Sequence, residues 1–221
     1  MFQEILSIFS TYSILIAAVL GVIRFRVIQN SYYPLIYICW VALITEIVAS
    51  FVQKSSGTLW PSNVYVLFEG LLFTWQFRKW GSFQRREWLF YLIQVAITVL
   101  WVIDNFFIHK NIHELSSIYR ISYSVLLVIL AIDQINKLIV HERRSFITNA
   151  KFMLCIGVIF FFSYKFTLET FYLYALEKSQ NFEFVISIFA LQKYVNLFAN
   201  LLYAYIILWI PRKKIFLQPL R

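Results

Sequence analysis

The sequence predicts an all-α polytopic membrane protein, a seven-transmembrane-helix bundle, and three observations predict it. The 221 residues are 61% hydrophobic and only 14% charged, more apolar surface than a water-soluble domain of this length can hide. Apolar stretches of roughly twenty residues, the length that crosses a bilayer core, recur along the whole chain. The basic residues fall between those stretches and concentrate on alternate loops, the pattern that sets topology.

The spans are expected near residues 5–23, 34–53, 63–79, 88–108, 116–137, 152–176 and 182–210. The first begins beside Glu4 and lacks a basic leader, so it reads as a span and not as a cleavable signal. Pro34 opens the second. Lys54-Ser55-Ser56-Gly57 precedes Trp60-Pro61 and the third, and Pro211 closes the last; such residues punctuate helices. No linker or loop is long enough for a soluble domain, so 1–221 is expected to be a single transmembrane domain. Cys39 and Cys155 fall inside spans without metal-site spacing and read as small buried residues.

Loop charge predicts orientation. Arg24 and Arg26 follow span one, and Arg78, Lys79, Arg85 and Arg86 follow span three. Lys137, Arg143, Arg144 and Lys151 follow span five, and Arg212, Lys213, Lys214 and Arg221 follow span seven. The other loops hold little beyond Lys54, Lys110 and Lys178. The positive-inside rule then puts the N-terminus outside and the C-terminus in the cytoplasm. Trp80, Trp88 and Trp209 are expected as anchors at the inner interface and Trp60 at the outer one. The net charge of +9 is thereby explained by topology and lipid headgroups, with no nucleic-acid partner.

Two sequence matches point to a 3+1+3 parallel repeat. Tyr12–Ile16 resembles Tyr123–Leu127, and Leu67–Trp75 resembles Leu197–Tyr205. Spans two and six align on Glu46 and Glu169. In parallel-repeat transporters the substrate site lies between the two units, near mid-membrane.

Ionisable residues inside spans are costly and face protein or water-filled cavities. With a rise of 1.5 Å per residue, Glu46, Glu69 and Glu169 each lie about 10 Å below the outer end of their spans. Lys165 and Lys193 lie at about 16 Å on the same estimate. These residues predict a polar centre among spans two, three, six and seven, open to the outside. Lys193, Asn196, Asn200 and Tyr203 form a stripe at helical spacing toward the cytoplasm, and Tyr65, Tyr172, Gln76, Gln94 and Thr98 add polar groups. Asp104 and Asn105 close span four, at a depth where Asp104 meets Arg120. Asp133 and Lys137 read as a snorkelling pair near the inner end.

Lys165 precedes Glu169 by four residues, the less favourable order for a helix ion pair. Partners on other helices are therefore expected, such as Lys165 with Glu69 and Lys193 with Glu46. Three carboxylates against two ammonium groups leave a charge of minus one if all ionise, so the cluster is suited to a proton or a cation. The lysines extend its range to a zwitterion.

Competing chemistry finds little support. His109, His113 and Glu114 could present a metal-binding pair but lack a third histidine nearby, and a solvated loop is the expectation, with no metal site. The motifs HExxH, GxSxG and a phosphate-binding glycine loop do not occur. An intramembrane hydrolase using Glu46 and Glu69 is a minor alternative, and no enzyme activity is expected. Seven spans in this orientation with a lysine in the last resemble the retinal proteins in architecture alone. Span six carries Lys165 and Glu169 where a retinal pocket needs apolar cover, so no cofactor is expected.

The functional expectation is a small-solute or ion transporter in a bacterial cytoplasmic (inner) membrane. Glu46, Glu69 and Glu169 would take a proton or cation, Lys165 and Lys193 would balance charge or hold an anionic group, and Asn196 and Asn200 would line the inward path. One alternative is a seven-helix sensor or accessory subunit signalling to a protein partner through its cytoplasmic loops. Another is a structural membrane subunit whose charges only fix helix packing.

Overall fold

The computed structural model describes residues 9–56, 58–108, 112, 115–141, 149–178 and 182–213. Among these the chain is helical, and the one β-like feature is an isolated bridge between Ile28 and Arg212. The helices are α1 (Ile14–Arg24), α2 (Tyr33–Ser56), α3 (Trp60–Lys79), α4 (Glu87–Val102), α5 (Ser117–His141), α6 (Ala150–Lys178) and α7 (Phe182–Trp209). A short 3₁₀ turn, Asn30–Tyr32, leads into α2, and a π-helical turn, Ile103–Ile108, extends α4.

Four of these segments are long and apolar enough to cross a membrane: Asn30–Val52, Glu87–Ile108, Ser117–Val140 and Ala150–Tyr174. These are the properties of a membrane protein. The segment Phe9–Arg24 is apolar but shorter. α3 and α7 carry polar residues along their lengths, and α3 buries Asn63, Glu69, Thr74 and Gln76.

Helix neighbours close a ring. α1 packs on α2, α2 on α3, α3 on α5, α5 on α6, α6 on α7, and α7 back on α1. α4 stands outside, against α3 and α5. In its most apolar window 17% of residues are buried, against 44% for α6, which marks α4 as peripheral.

Local chemistry accounts for the helix ends. Pro61 occupies the first turn of α3, where its missing N–H costs nothing. Gly81 follows that helix at φ 89°, a left-handed conformation that glycine adopts without strain. Gln76 joins α3 to the start of α2, its Oε1 accepting from the Leu35 N–H at 3.0 Å and its Nε2 donating to the Ser31 carbonyl at 2.5 Å. Arg24 donates to the carbonyls of Ile207 and Ile210, which are left unpaired by the end of α7. Beside it, the Gln29 N–H donates to Pro211 at 3.1 Å and the Lys213 N–H to Val27 at 2.8 Å.

The basic segments meet at one end of the molecule. The Arg24–Val27 turn is tied to Ile207–Lys213, and Ser82 is tied to Gln134 and Lys137. Tyr32 and Trp80, with ring centroids 5.5 Å apart, connect the two groups. Asp133 and Lys137 form the expected (i, i+4) pair at 2.5 Å, about half exposed.

Trp80 departs from expectation. Trp60, Trp88 and Trp209 are exposed, as interfacial anchors are. Trp80 instead is buried edge-on against Tyr32 and Phe77. The side chains of Lys54, His109, Lys110, His113, Glu114, His141, Arg143, Arg144, Lys178, Lys214 and Arg221 lie outside the described residues.

Candidate functional site

Position along each helix determines which charges share a level, and Glu69 on α3 is the hub of one such level. Its Oε1 accepts from the Tyr65 hydroxyl one turn earlier at 2.9 Å. Its Oε2 accepts from the Tyr123 hydroxyl of α5 at 2.5 Å and from Lys165 Nζ of α6 at 2.9 Å. Lys165 also donates to the Tyr123 oxygen, closing a triangle across three helices. Its ammonium lies 5.1 Å from the Tyr123 ring centroid and 5.6 Å from that of Phe162, within cation–π range. Glu69 and Lys165 are 3% and 8% exposed, so each neutralises a charge that could not remain alone there.

The cross-helix partner expected for Lys165 is thus Glu69. Glu169, one turn further along α6, turns elsewhere. Its Oε2 accepts from the Ser117 hydroxyl at 2.8 Å, and its Oε1 lies 3.8 Å from Arg120 Nε. Arg120 Nη2 donates to Ser62 Oγ at 2.9 Å and to Asn63 Oδ1 at 3.2 Å. Asn63 is itself enclosed: its Nδ2 donates to the Ile112 carbonyl, and its Oδ1 accepts from Ser116 Oγ. This second cluster is a packed polar layer.

The π-helical turn explains why Arg120 does not take Asp104 as its ion-pair partner. It carries Asp104 and Asn105 fully inside, where Asp104 Oδ2 accepts from the Tyr119 N–H at 2.9 Å. That N–H belongs to the first turn of α5, which lacks intrahelical acceptors and attracts negative charge. Asp104 therefore caps α5, and Arg120 on the next residue points to Glu169 and α3.

A partly enclosed cavity of about 170 Å³ lies inside the helix ring. Residues from α2, α3, α6 and α7 line it, as expected, and α5 contributes Arg120. Ser10 and Thr11, with Ile14 of α1, complete the wall. Of the residues singled out from sequence, Glu46, Tyr65, Glu69, Arg120, Lys165, Asn196 and Asn200 line this space. Glu169, Lys193, Asp104 and Tyr172 are not in its lining.

The lining groups differ in what they can still bind. Asn200 Nδ2 donates to Ser13 Oγ at 2.9 Å and to the Ser10 carbonyl at 3.3 Å, tying α7 to the segment leading into α1. Ser10 Oγ in turn donates to the backbone carbonyl of Lys193. Glu46 is different. It is half-buried in the cavity wall, and among the described residues its carboxylate has no hydrogen bond or ion pair. The expected Lys193–Glu46 pair is not formed among these residues.

The chain matches no family model, no curated protein and no solved structure. Function therefore rests on the cavity.

Several contributors were not singled out for the site from sequence: Ser62, Asn63, Ser116, Ser117 and Tyr123. Serine and asparagine are short and common in apolar helices, and Tyr123 drew notice only through the repeat. Among the described residues no group of three His, Cys, Asp or Glu side chains is arranged to hold a metal ion.

Proposed function

We propose that this chain is an integral membrane transporter for a small polar solute or a cation, with Glu46 as the carboxylate that takes up the moving charge. The observation that carries this reading is the contrast between two glutamates in one cavity. Glu69 is saturated by Tyr65, Tyr123 and Lys165, whereas Glu46 faces the space without a partner. A carboxylate held open in a polar-lined cavity between apolar helices is suited to a proton, a metal cation or the ammonium of a zwitterion. The cavity is smaller than the roughly 300–1,000 Å³ of pockets for drug-sized ligands, which favours an ion or a small solute. Lys165, locked to Glu69, balances charge, while Asn196 and Gln192 offer neutral polar contacts.

In this reading all seven helices span a bacterial cytoplasmic membrane as one domain. The gathering of basic segments at one end supports a cytoplasmic C-terminus and an outside N-terminus. The peripheral place of α4 between a triplet α1–α3 and a triplet α5–α7 supports a 3+1+3 arrangement with the site between the units. Glu169 belongs to packing, the role that buried ion pairs can serve without a ligand, while its partner Arg120 also reaches the cavity wall.

Proteoliposomes containing the protein alone, held at an inside-negative potential, test this. Uptake of protons, sodium ions or amino acids above that of empty vesicles is the expected result. No uptake, together with a stoichiometric protein partner recovered from membranes, would instead make the chain a sensor or accessory subunit.

A further inference from the structure

At the basic end a second cavity of about 720 Å³ lies between the α3–α4 turn, the end of α5 and the start of α6. Among the described residues Arg85, Arg86, Lys137 and Lys151 line it, and no carboxylate does. Lys137 is already paired with Asp133. Arg85, Arg86 and Lys151 have no ion pair among the described residues. An uncompensated cluster of three cations around one hollow attracts an anion with several acceptor oxygens.

A second, independent observation lies in the wall. Gln134 is 3% exposed and lines this cavity. Its Oε1 accepts from Ser82 Oγ at 3.0 Å, which leaves the amide Nε2 without a protein partner among the described residues. The amide nitrogen itself is not enclosed by protein, and the residue lines the hollow, so this N–H is placed to donate to a molecule there.

We propose that this hollow is a binding site for a phosphate-bearing anion, contacted by Arg85, Arg86 and Lys151 and by the Gln134 amide. The anion is either the headgroup of an anionic phospholipid or free phosphate. A phospholipid fits the position at the end of apolar helices, where basic pockets collect anionic headgroups. The site is separate from the Glu46 cavity and does not depend on transport.

The test uses the full-length chain in detergent, with melting temperature as the readout, because a ligand of the folded state raises it. Dioleoylphosphatidylglycerol, dioleoylphosphatidylcholine and inorganic phosphate are added separately at constant ionic strength. A rise with phosphatidylglycerol alone identifies a lipid headgroup, and an equal rise with inorganic phosphate identifies free phosphate; both uphold the site. The rise should vanish in the exposed-site variant Arg85→Ala/Arg86→Ala and shrink in Gln134→Leu, but persist in Arg26→Ala/Arg212→Ala, which removes the same two charges outside the hollow. Absence of any rise overturns the site, as does equal loss in Arg26→Ala/Arg212→Ala, which would mean that general surface charge is responsible.

Discussion

Lys165 Nζ lies 2.9 Å from Glu69 Oε2, so the lysine of α6 is neutralised by a helix 96 residues away in sequence. Glu169, one turn along its own helix, is left to Arg120. That division puts both members of the first pair in the cavity wall, whereas of the second pair Arg120 alone reaches it. Removing one member of a buried pair leaves the other charge uncompensated, at a cost of about 3–5 kcal/mol. Lys165→Met and Glu69→Gln should each lower thermal stability in detergent to that degree. The double variant should recover much of the loss, as a double-mutant cycle will report. Additive losses would show that the pair is not coupled.

Glu169→Gln should act on stability and not on flux. It weakens a charge-assisted contact with Arg120 and Ser117, worth about 1–3 kcal/mol. Uptake normalised to folded protein should stay near the wild-type level. A selective loss of uptake at normal stability would return Glu169 to the proposed transport site.

Gln76→Leu should destabilise the chain by about 2–3 kcal/mol, because it strips the Leu35 N–H and the Ser31 carbonyl of their buried partner at once. Chemical denaturation in mixed micelles measures this. Gln76→Glu keeps an acceptor for Leu35 but loses the donor to Ser31, so it should retain only part of the stability.

Asp104→Ala should cost about 1–2 kcal/mol through the loss of a cap on α5. Amide exchange at Tyr119 should accelerate more than exchange in the middle of α5. Equal protection in the variant would mean that Asp104 does not hold that terminus.

Helix positions were legible in the sequence, and rotation was not. The apolar runs, Pro34, Pro61 and Pro211 located the helices within a few residues, because length and punctuation depend on local chemistry. Glu69 and Lys165 could be paired from the unfavourable order of Lys165 and Glu169, although the helix rise places Glu69 level with Glu169. Which way Lys193 and Arg120 point depends on how each helix is turned about its axis. A helix with polar residues on several faces does not reveal that from composition. Asp104 was misread for a further reason: the π-helical turn shifts register by a residue, and no sequence feature marked it. Trp80 was assigned to the interface by residue type, yet the aromatic cluster with Tyr32 and Phe77 buries it.

Glu46 decides the central question. Among the described residues its carboxylate has no partner to lose, so Glu46→Gln should not lower stability. The decisive measurement is uptake into proteoliposomes by wild type and Glu46→Gln at matched incorporation and matched melting temperature. A fall of about tenfold or more, equivalent to at least about 1.4 kcal/mol, is the predicted result. Unchanged uptake in a stably folded Glu46→Gln protein would contradict the assignment of this carboxylate to the transported charge.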